Sequence, residues 1–302
     1  MSGMPPPFAE FVQPFQVEAL GVRGRLVRLG NGVAAIADAE RYPDDVAELL
    51  AATTALAAAL ASGLKYDGVF TLQAQGNGPV SLLLADITSD GDMRGYANFD
   101  ADAVAAADAS MGMVPRLLGA GHLAFTVDQG PDTDRYQGIT ELTGATLADC
   151  AQTYFRDSEQ LETAIILDSG RDEAGGLQAG AFLVQKMPDE DNLGDHWEDP
   201  TEPWREAAVL TSTLKAAELM DASLPPSELL FRLFHERGVR VFDTRPLRHA
   251  CRCSRERVTA TLASFPRAEI VAMQVDGNVV VTCEFCGHDY VFDETGLEAL
   301  FA

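Results

Sequence analysis

The chain has 302 residues, 47% hydrophobic and 23% charged, so it can bury a sizeable core and is not a disordered polymer. Its formal net charge of −24 opposes a polyphosphate partner unless a basic patch is set apart. The start, MSGMPPPFAEFVQPF, has no basic region followed by an apolar run, so no secretory signal is read, and a cytoplasmic protein with reduced thiols is the expectation.

Residues 43–62, PDDVAELLAATTALAAALAS, read as a helix, with Pro43 in the first turn and acids at the positive end. The run from Leu49 to Leu64 is mostly Ala, too short and too weakly apolar to span a membrane, and no membrane partner is expected. DGVFTLQAQGNGPVSLLLADITSDGDMRGYANFD gives three β-rich runs, broken at Gly76–Pro79 and at Ser89–Asp92, which predicts an antiparallel meander. HLAFTVD and RYQGITEL form a further strand pair around GPDTD. Thr146 to Asp157 reads as a helix capped by Thr146, and AGGLQAGAFLVQKM returns to strand. Strands outnumber helices and few alternate as βαβ, which places the chain in the α+β class with a mainly antiparallel sheet and packed helices.

The character changes at Pro188. PDEDNLGDHWEDPTEP has seven acids and no Lys or Arg, and reads as an exposed linker. Trp204–Met220 then reads as one helix and Ser227–Arg237 as another, with Gly238 ending it. VRVFDT is a short strand. CRCSRERVTATLASF runs into a helix capped by Ser254, Pro266 opens another turn, and DGNVVVTCEFCGHDYVFD is a two-stranded hairpin with CxxC at its turn. The expected division is a core domain over 1–188, an acidic then helical linker over 189–237, and a small zinc domain over 238–302. The last is too short to hold a large core alone, so a staple is expected.

Four of the five cysteines supply one. In extended chain, residues two apart point to one side, so Cys251 and Cys253 can aim both sulfurs at one point. In Cys283–Cys286, followed by Gly287, a tight turn brings the sulfurs together. Two converging pairs make a tetrathiolate zinc site. A purely structural zinc, free buried thiols, a thioredoxin-type centre and a basic zinc ribbon for nucleic acid compete with this. CEFC lies in a β turn rather than at a helix start, which weakens the redox-enzyme reading. The net charge and the lack of aromatic–basic interleaving weaken the nucleic-acid reading. From Arg232 to Arg267 nine Arg face three acids, and those beside the CxC would favour reactive thiolates. Cys150, in LADCAQTYF, reads as a core cysteine. His249 and His288 lie near the thiols in sequence but are not needed as ligands.

LLFRLFHERGVRVFDTRPLRHACRCSRERV and VTCEFCGHDYVFD, with LQAQGNGPVSLLLAD, MRGYANFD, DRYQGITEL and YFRDSEQL upstream, resemble the redox-regulated 33-kDa chaperonin family of bacterial heat-shock proteins. The resemblance implies an ATP-independent holdase for unfolding clients rather than an enzyme. It implies one zinc on Cys251, Cys253, Cys283 and Cys286 in the reduced state, and disulfides Cys251–Cys253 and Cys283–Cys286 on oxidation. Zinc loss would then unfold the C-terminal domain and linker, and the active form would be a homodimer. A thiol–disulfide oxidoreductase and a nucleic-acid-binding zinc protein are the alternatives.

Overall fold

The structure, a computed structural model, describes residues 10–38, 40–130, 133–188, 197, 199 and 201–300. The acidic stretch expected as a linker lies largely outside them. Packing divides the chain into two units, 1–249 and 250–302. The first contains strands β1 (Phe11–Val17), β2 (Val22–Leu29), β3 (Val69–Gly76), β4 (Val80–Thr88), β5 (Asp92–Phe99), β6 (Gly121–Asp128), β7 (Tyr136–Glu141), β8 (Thr163–Arg171), β9 (Leu177–Lys186), β10 (Arg240–Val241), β11 (Arg245–Pro246) and β12 (Arg248–His249). Its helices are α1 (Asn31–Ile36), α2 (Asp44–Ala61), α3 (Ala101–Ala106), α4 (Leu147–Asp157), α5 (Glu202–Ser212), α6 (Ala216–Leu219) and α7 (Pro226–Phe234).

These strands form two sheets. One runs β10-β1-β2-β9-β8, with β11 also on β1; the other runs β12-β5-β4-β3-β6-β7. Only the short β12–β5 pair is parallel among the described strands. The class is α+β with mainly antiparallel sheets, as expected. The predicted meander is β3–β5, with Phe70 opposite Ile87 and Leu84 opposite Tyr96. The predicted pair around GPDTD is β6–β7.

The Ala-rich run explains how the sheets come together. Helix α2 packs on β9, β8 and β2 of one sheet and on β4, β5 and β3 of the other. A helix covered on both sides must be apolar all round, and small Ala side chains let both sheets approach. Val46, Leu49, Leu50, Leu56 and the alanines around them are buried. Thr53 and Thr54 are also fully buried, and their hydroxyls donate to the carbonyls of Leu49 (2.7 Å) and Leu50 (2.8 Å). Among the described residues, no helix is long and apolar enough to cross a membrane. Helix α4 is fixed by a full capping box, Thr146 with Asp149.

The other face of the first sheet holds the helical segment. Phe15, Leu26, Phe182 and Val184 pack against Ala207, Leu214, Leu219, Leu224, Leu229, Leu230 and Phe234. Phe234 lies 5.8 Å from the Phe15 ring and 6.5 Å from the Phe182 ring. A Cβ at Gly180 would collide with Leu219, so this glycine lets the segment sit close to the sheet. The helix predicted over Trp204–Met220 is two helices instead. Ser212 and Thr213 turn their hydroxyls onto the carbonyls of Val209 (2.7 Å) and Leu210 (2.6 Å), ending α5, and Lys215 is extended before α6. Helix α7 starts one residue earlier than read, with Pro226 at its first position.

The second unit contains helices α8 (Arg255–Ala263) and α9 (Arg267–Ala272), strands β13 (Val279–Thr282) and β14 (Asp289–Phe292), and helix α10 (Glu294–Leu300). Its buried apolar cluster is Leu262, Ile270, Val279, Tyr290, Phe292 and Leu297. Ser254 caps α8 by accepting from the Arg257 amide, as expected. The hairpin pairs Val279 with Phe292 through Thr282 with Asp289, which leaves CEFCGH as its turn.

Candidate metal centre

The hairpin turn is shaped for sulfur. Cys283 donates its amide to the His288 carbonyl (2.9 Å), and Gly287 donates its amide to the Cys283 carbonyl (2.8 Å). Gly287 has φ of 69°, a left-handed conformation that favours glycine. The turn folds Cys286 back beside Cys283. The second pair arrives on the extended segment before α8, where Cys251 and Cys253 share a side.

The four sulfurs converge. All lie within 4.8 Å of one another, and the group can hold a metal ion. Cys251 Sγ is 3.7 Å from Cys283 Sγ, and Cys253 Sγ is 3.5 Å from Cys286 Sγ. A tetrahedron with metal–sulfur bonds of about 2.3 Å has sulfur–sulfur edges of about 3.8 Å. The donor set and its spacing therefore fit a tetrathiolate ion of zinc's size and softness.

The thiols are not equivalent. Burial pushes Cys253 up, but hydrogen bonds from Tyr290 Oη (3.1 Å) and from the neighbouring thiols outweigh it, bringing the thiol down to about 7. Burial raises Cys251, and burial together with the neighbouring thiols raises Cys286 to about 12. Their sulfurs also accept backbone amides, from Cys253 for Cys251 and from His288 for Cys286. Such amides favour thiolate.

Three of the arginines read as activators of the CxC are engaged with other groups. Arg255 donates to the Val291 carbonyl (3.0 Å) and lies 4.4 Å from the centre of the Phe292 ring. Arg257 donates to the Arg252 carbonyl (2.8 Å). Arg248 belongs to the first unit, where it pairs with Asp92 at 2.6 Å. The largest of the groups that lower Cys253 is Tyr290, which the sequence reading missed. Its place two residues past the knuckle's His288 was the available signal. His288 contributes its carbonyl and stacks edge-on against Tyr290. His249 lies on β12 of the first unit. Cys150 is fully buried on α4, donates to the Thr143 carbonyl (3.2 Å) and is pushed up to about 11 by burial, as a core thiol should be.

A second missed residue lies in the first unit. Arg28 on β2 is 2% exposed. Its guanidinium donates to the carbonyls of Leu219 (2.7 Å), Leu224 (2.6 Å) and Glu218 (3.0 Å). Glu218 and Leu219 end α6 and Leu224 lies in the turn to α7, so one buried cation clamps the helical segment to the sheet. The sequence signal was a charge inside an apolar strand, VRGRLVRL.

The comparisons with known proteins agree over nearly the whole chain. The family described as Hsp33 protein matches residues 10–293. A 33 kDa chaperonin of Caulobacter vibrioides is 41% identical over 295 residues, covering 95% of this chain and 96% of the relative. One from Ectopseudomonas mendocina is 39% identical over 298 residues, covering 97% and 95%. The crystal structure of a 33 kDa chaperonin from Thermotoga maritima shares the fold, with a TM-score of 0.80 at 24% identity and 97% coverage of both chains. This chain belongs to the Hsp33 family.

Proposed function

From that membership, and from the 33 kDa chaperonin name of its relatives, we propose that this chain is a redox-regulated, ATP-independent molecular chaperone of the cytoplasm. It holds unfolding proteins under oxidative stress. The observation that carries the reading is the meeting of four thiols in a unit whose buried apolar cluster, among the described residues, has six side chains.

In the reduced protein Cys251, Cys253, Cys283 and Cys286 hold one zinc ion per chain. When bound, zinc would tie two segments about thirty residues apart and screen the repulsion between their thiolates. Tyr290 and the amides of Cys253 and His288 orient the sulfurs. Oxidation couples Cys251 to Cys253 and Cys283 to Cys286. Each pair of thiolates gives two electrons to an oxidant such as hydrogen peroxide, which takes up two protons from the solvent and leaves as two waters, and the pair's hold on zinc would be lost. All four sulfurs are close enough for this, and the family resemblance supports pairing within each motif.

A disulfide sulfur is a poor ligand, so oxidation removes the staple. The C-terminal domain then loses its fold, and the 189–237 linker is released with it. Helices α5–α7 leave the first sheet and uncover Phe15, Leu26, Phe182 and Val184, along with their own Leu219, Leu229 and Phe234. Apolar surface of this kind binds unfolded chains, and a second copy in the active homodimer. The net charge of −24 keeps the complexes in solution.

Light scattering by a thermally aggregating client tests the reading. Peroxide-treated protein should suppress scattering at near-stoichiometric amounts, and reduced, zinc-loaded protein should not. Equal suppression by both would remove the redox control, and suppression by neither would remove the chaperone.

A further inference from the structure

Strand alternation places Arg28 on the helix-covered face of the first sheet, with Val22 and Leu26. It places Arg23 and Arg25 on the opposite face, in line with Val27 and Leu29 of the main core. Arg25 is 7% exposed there. Its one hydrogen bond to the described residues goes to a neutral acceptor, Gln185 Oε1, at 3.3 Å. Arg23 Nε is buried with no hydrogen-bond partner among the described residues. Neither arginine forms an ion pair among the described residues, in a chain with 46 acids against 22 bases. Burial, Arg23 and Arg245 together hold Arg25 down to about 10, so its neighbours repel its charge rather than balance it.

A buried charge without a partner is strongly unfavourable and calls for a counter-ion. Space for one adjoins both guanidinium groups. Arg23, Arg25 and Lys65 line a cavity of about 500 Å³. Its remaining wall is largely apolar and aromatic, including Phe70, Phe125, Tyr154 and Leu183. Glu159, also on the wall, is engaged by the hydroxyls of Tyr136 and Tyr154, each at 2.5 Å. Arg23 and Arg25 also line a second hollow, with Arg245 and Asp243. The volume lies in the range of small-molecule sites, and a mainly apolar wall with a few convergent charges is their usual make-up.

The geometry points to a binding site for an organic anion with a single carboxylate head and an apolar body, the head between Arg23 and Arg25 and the body against the aromatic wall. This site shares no residue with the thiol centre and lies on the face of the first sheet opposite α5–α7. Arginine suits the head because its planar fork matches a carboxylate.

Isothermal titration of the reduced, zinc-loaded full chain tests it, with decanoate as probe, acetate as head alone and decanol as body alone. Decanoate should bind once per chain, at least tenfold more tightly than either control. Arg25→Met should weaken decanoate at least tenfold, leave decanol unchanged and raise the melting temperature of the ligand-free protein, because it removes an uncompensated charge. Arg23→Gln should weaken decanoate several-fold, whatever the folding of the first variant. Three results would overturn the site: no saturable decanoate binding by the unmodified chain, affinity unchanged by Arg23→Gln, or a folded Arg25→Met protein with a lowered melting temperature and intact binding.

Discussion

The two units solve the same problem by different means. Unit 1–249 buries a helix between two sheets and has a second apolar layer under α5–α7. Among its described residues, unit 250–302 has six buried apolar side chains and four converging thiols. A fold held by area loses stability in small steps as single contacts are removed. A fold held by four donor atoms responds all at once to whatever takes those donors away. On the proposed function, the contrast explains why the small unit would serve as the sensor and the large one as the client surface.

The largest effect should come from the donors. Cys283→Ser should drop zinc from one per chain to near zero and make 250–302 sensitive to protease, while the first unit still melts cooperatively. Structural zinc is worth about 10–16 kcal/mol in small modules, more than so small a core supplies alone. Zinc analysis with limited proteolysis reads this, and a protected 250–302 in the zinc-free variant would break the comparison.

Next is the packing of the helical segment. Phe234→Ala empties the contact with Phe15 and Phe182, and should cost about 3–5 kcal/mol. Amide exchange over 202–234 should rise in the reduced protein, with client binding appearing before oxidation. Arg28→Met leaves three carbonyls without their donor and should cost about 2–3 kcal/mol. The same exchange measurement should rise less than for Phe234→Ala, with zinc content unchanged. If exchange over 202–234 does not move, the clamp is not what holds the segment.

The smallest effect concerns pH. Burial raises the Glu48 carboxyl above its ordinary 4.5, with Asp45 and Asp44 adding to it and Arg171 opposing. A carboxyl raised in the folded state is a penalty at neutral pH that disappears as pH falls below its ordinary range. Glu48→Gln should therefore raise the melting temperature slightly at pH 7 and not below about pH 4. Its effect should stay within the first unit, leaving thiol reactivity untouched.

Local signals made the small unit readable. Ser254 caps a helix and Gly287 takes a left-handed turn as the sequence indicates, and the two cysteine pairs converge on one point. The meander was equally open, because its turns are marked by Gly and Asn. Strands β1, β2 and β8 were harder to read. Pro14, Gly24 and the arginines interrupt the alternation of the first two, and what makes them strands is the pairing of β1 with β2 and of β2 with β9, and packing on α5–α7. The break between α5 and α6 depends on hydroxyls competing for carbonyls within a pattern that otherwise reads as continuous helix. Tyr290 and Arg28 act across the fold, on Cys253 and on the 218–224 carbonyls, and such partners are not visible along the chain.

The central claim is that the oxidation state of four thiols decides whether the small unit is folded, independently of the first unit's sheets. Peroxide or hypochlorite at mildly elevated temperature, followed by thiol counting, zinc analysis and mass-mapped limited proteolysis on one sample, tests it directly. The account predicts loss of four thiols and one zinc together, retention of the Cys150 thiol, and new cleavage sites confined to the linker and 250–302. Loss of the thiols and zinc with 250–302 still protected would contradict it.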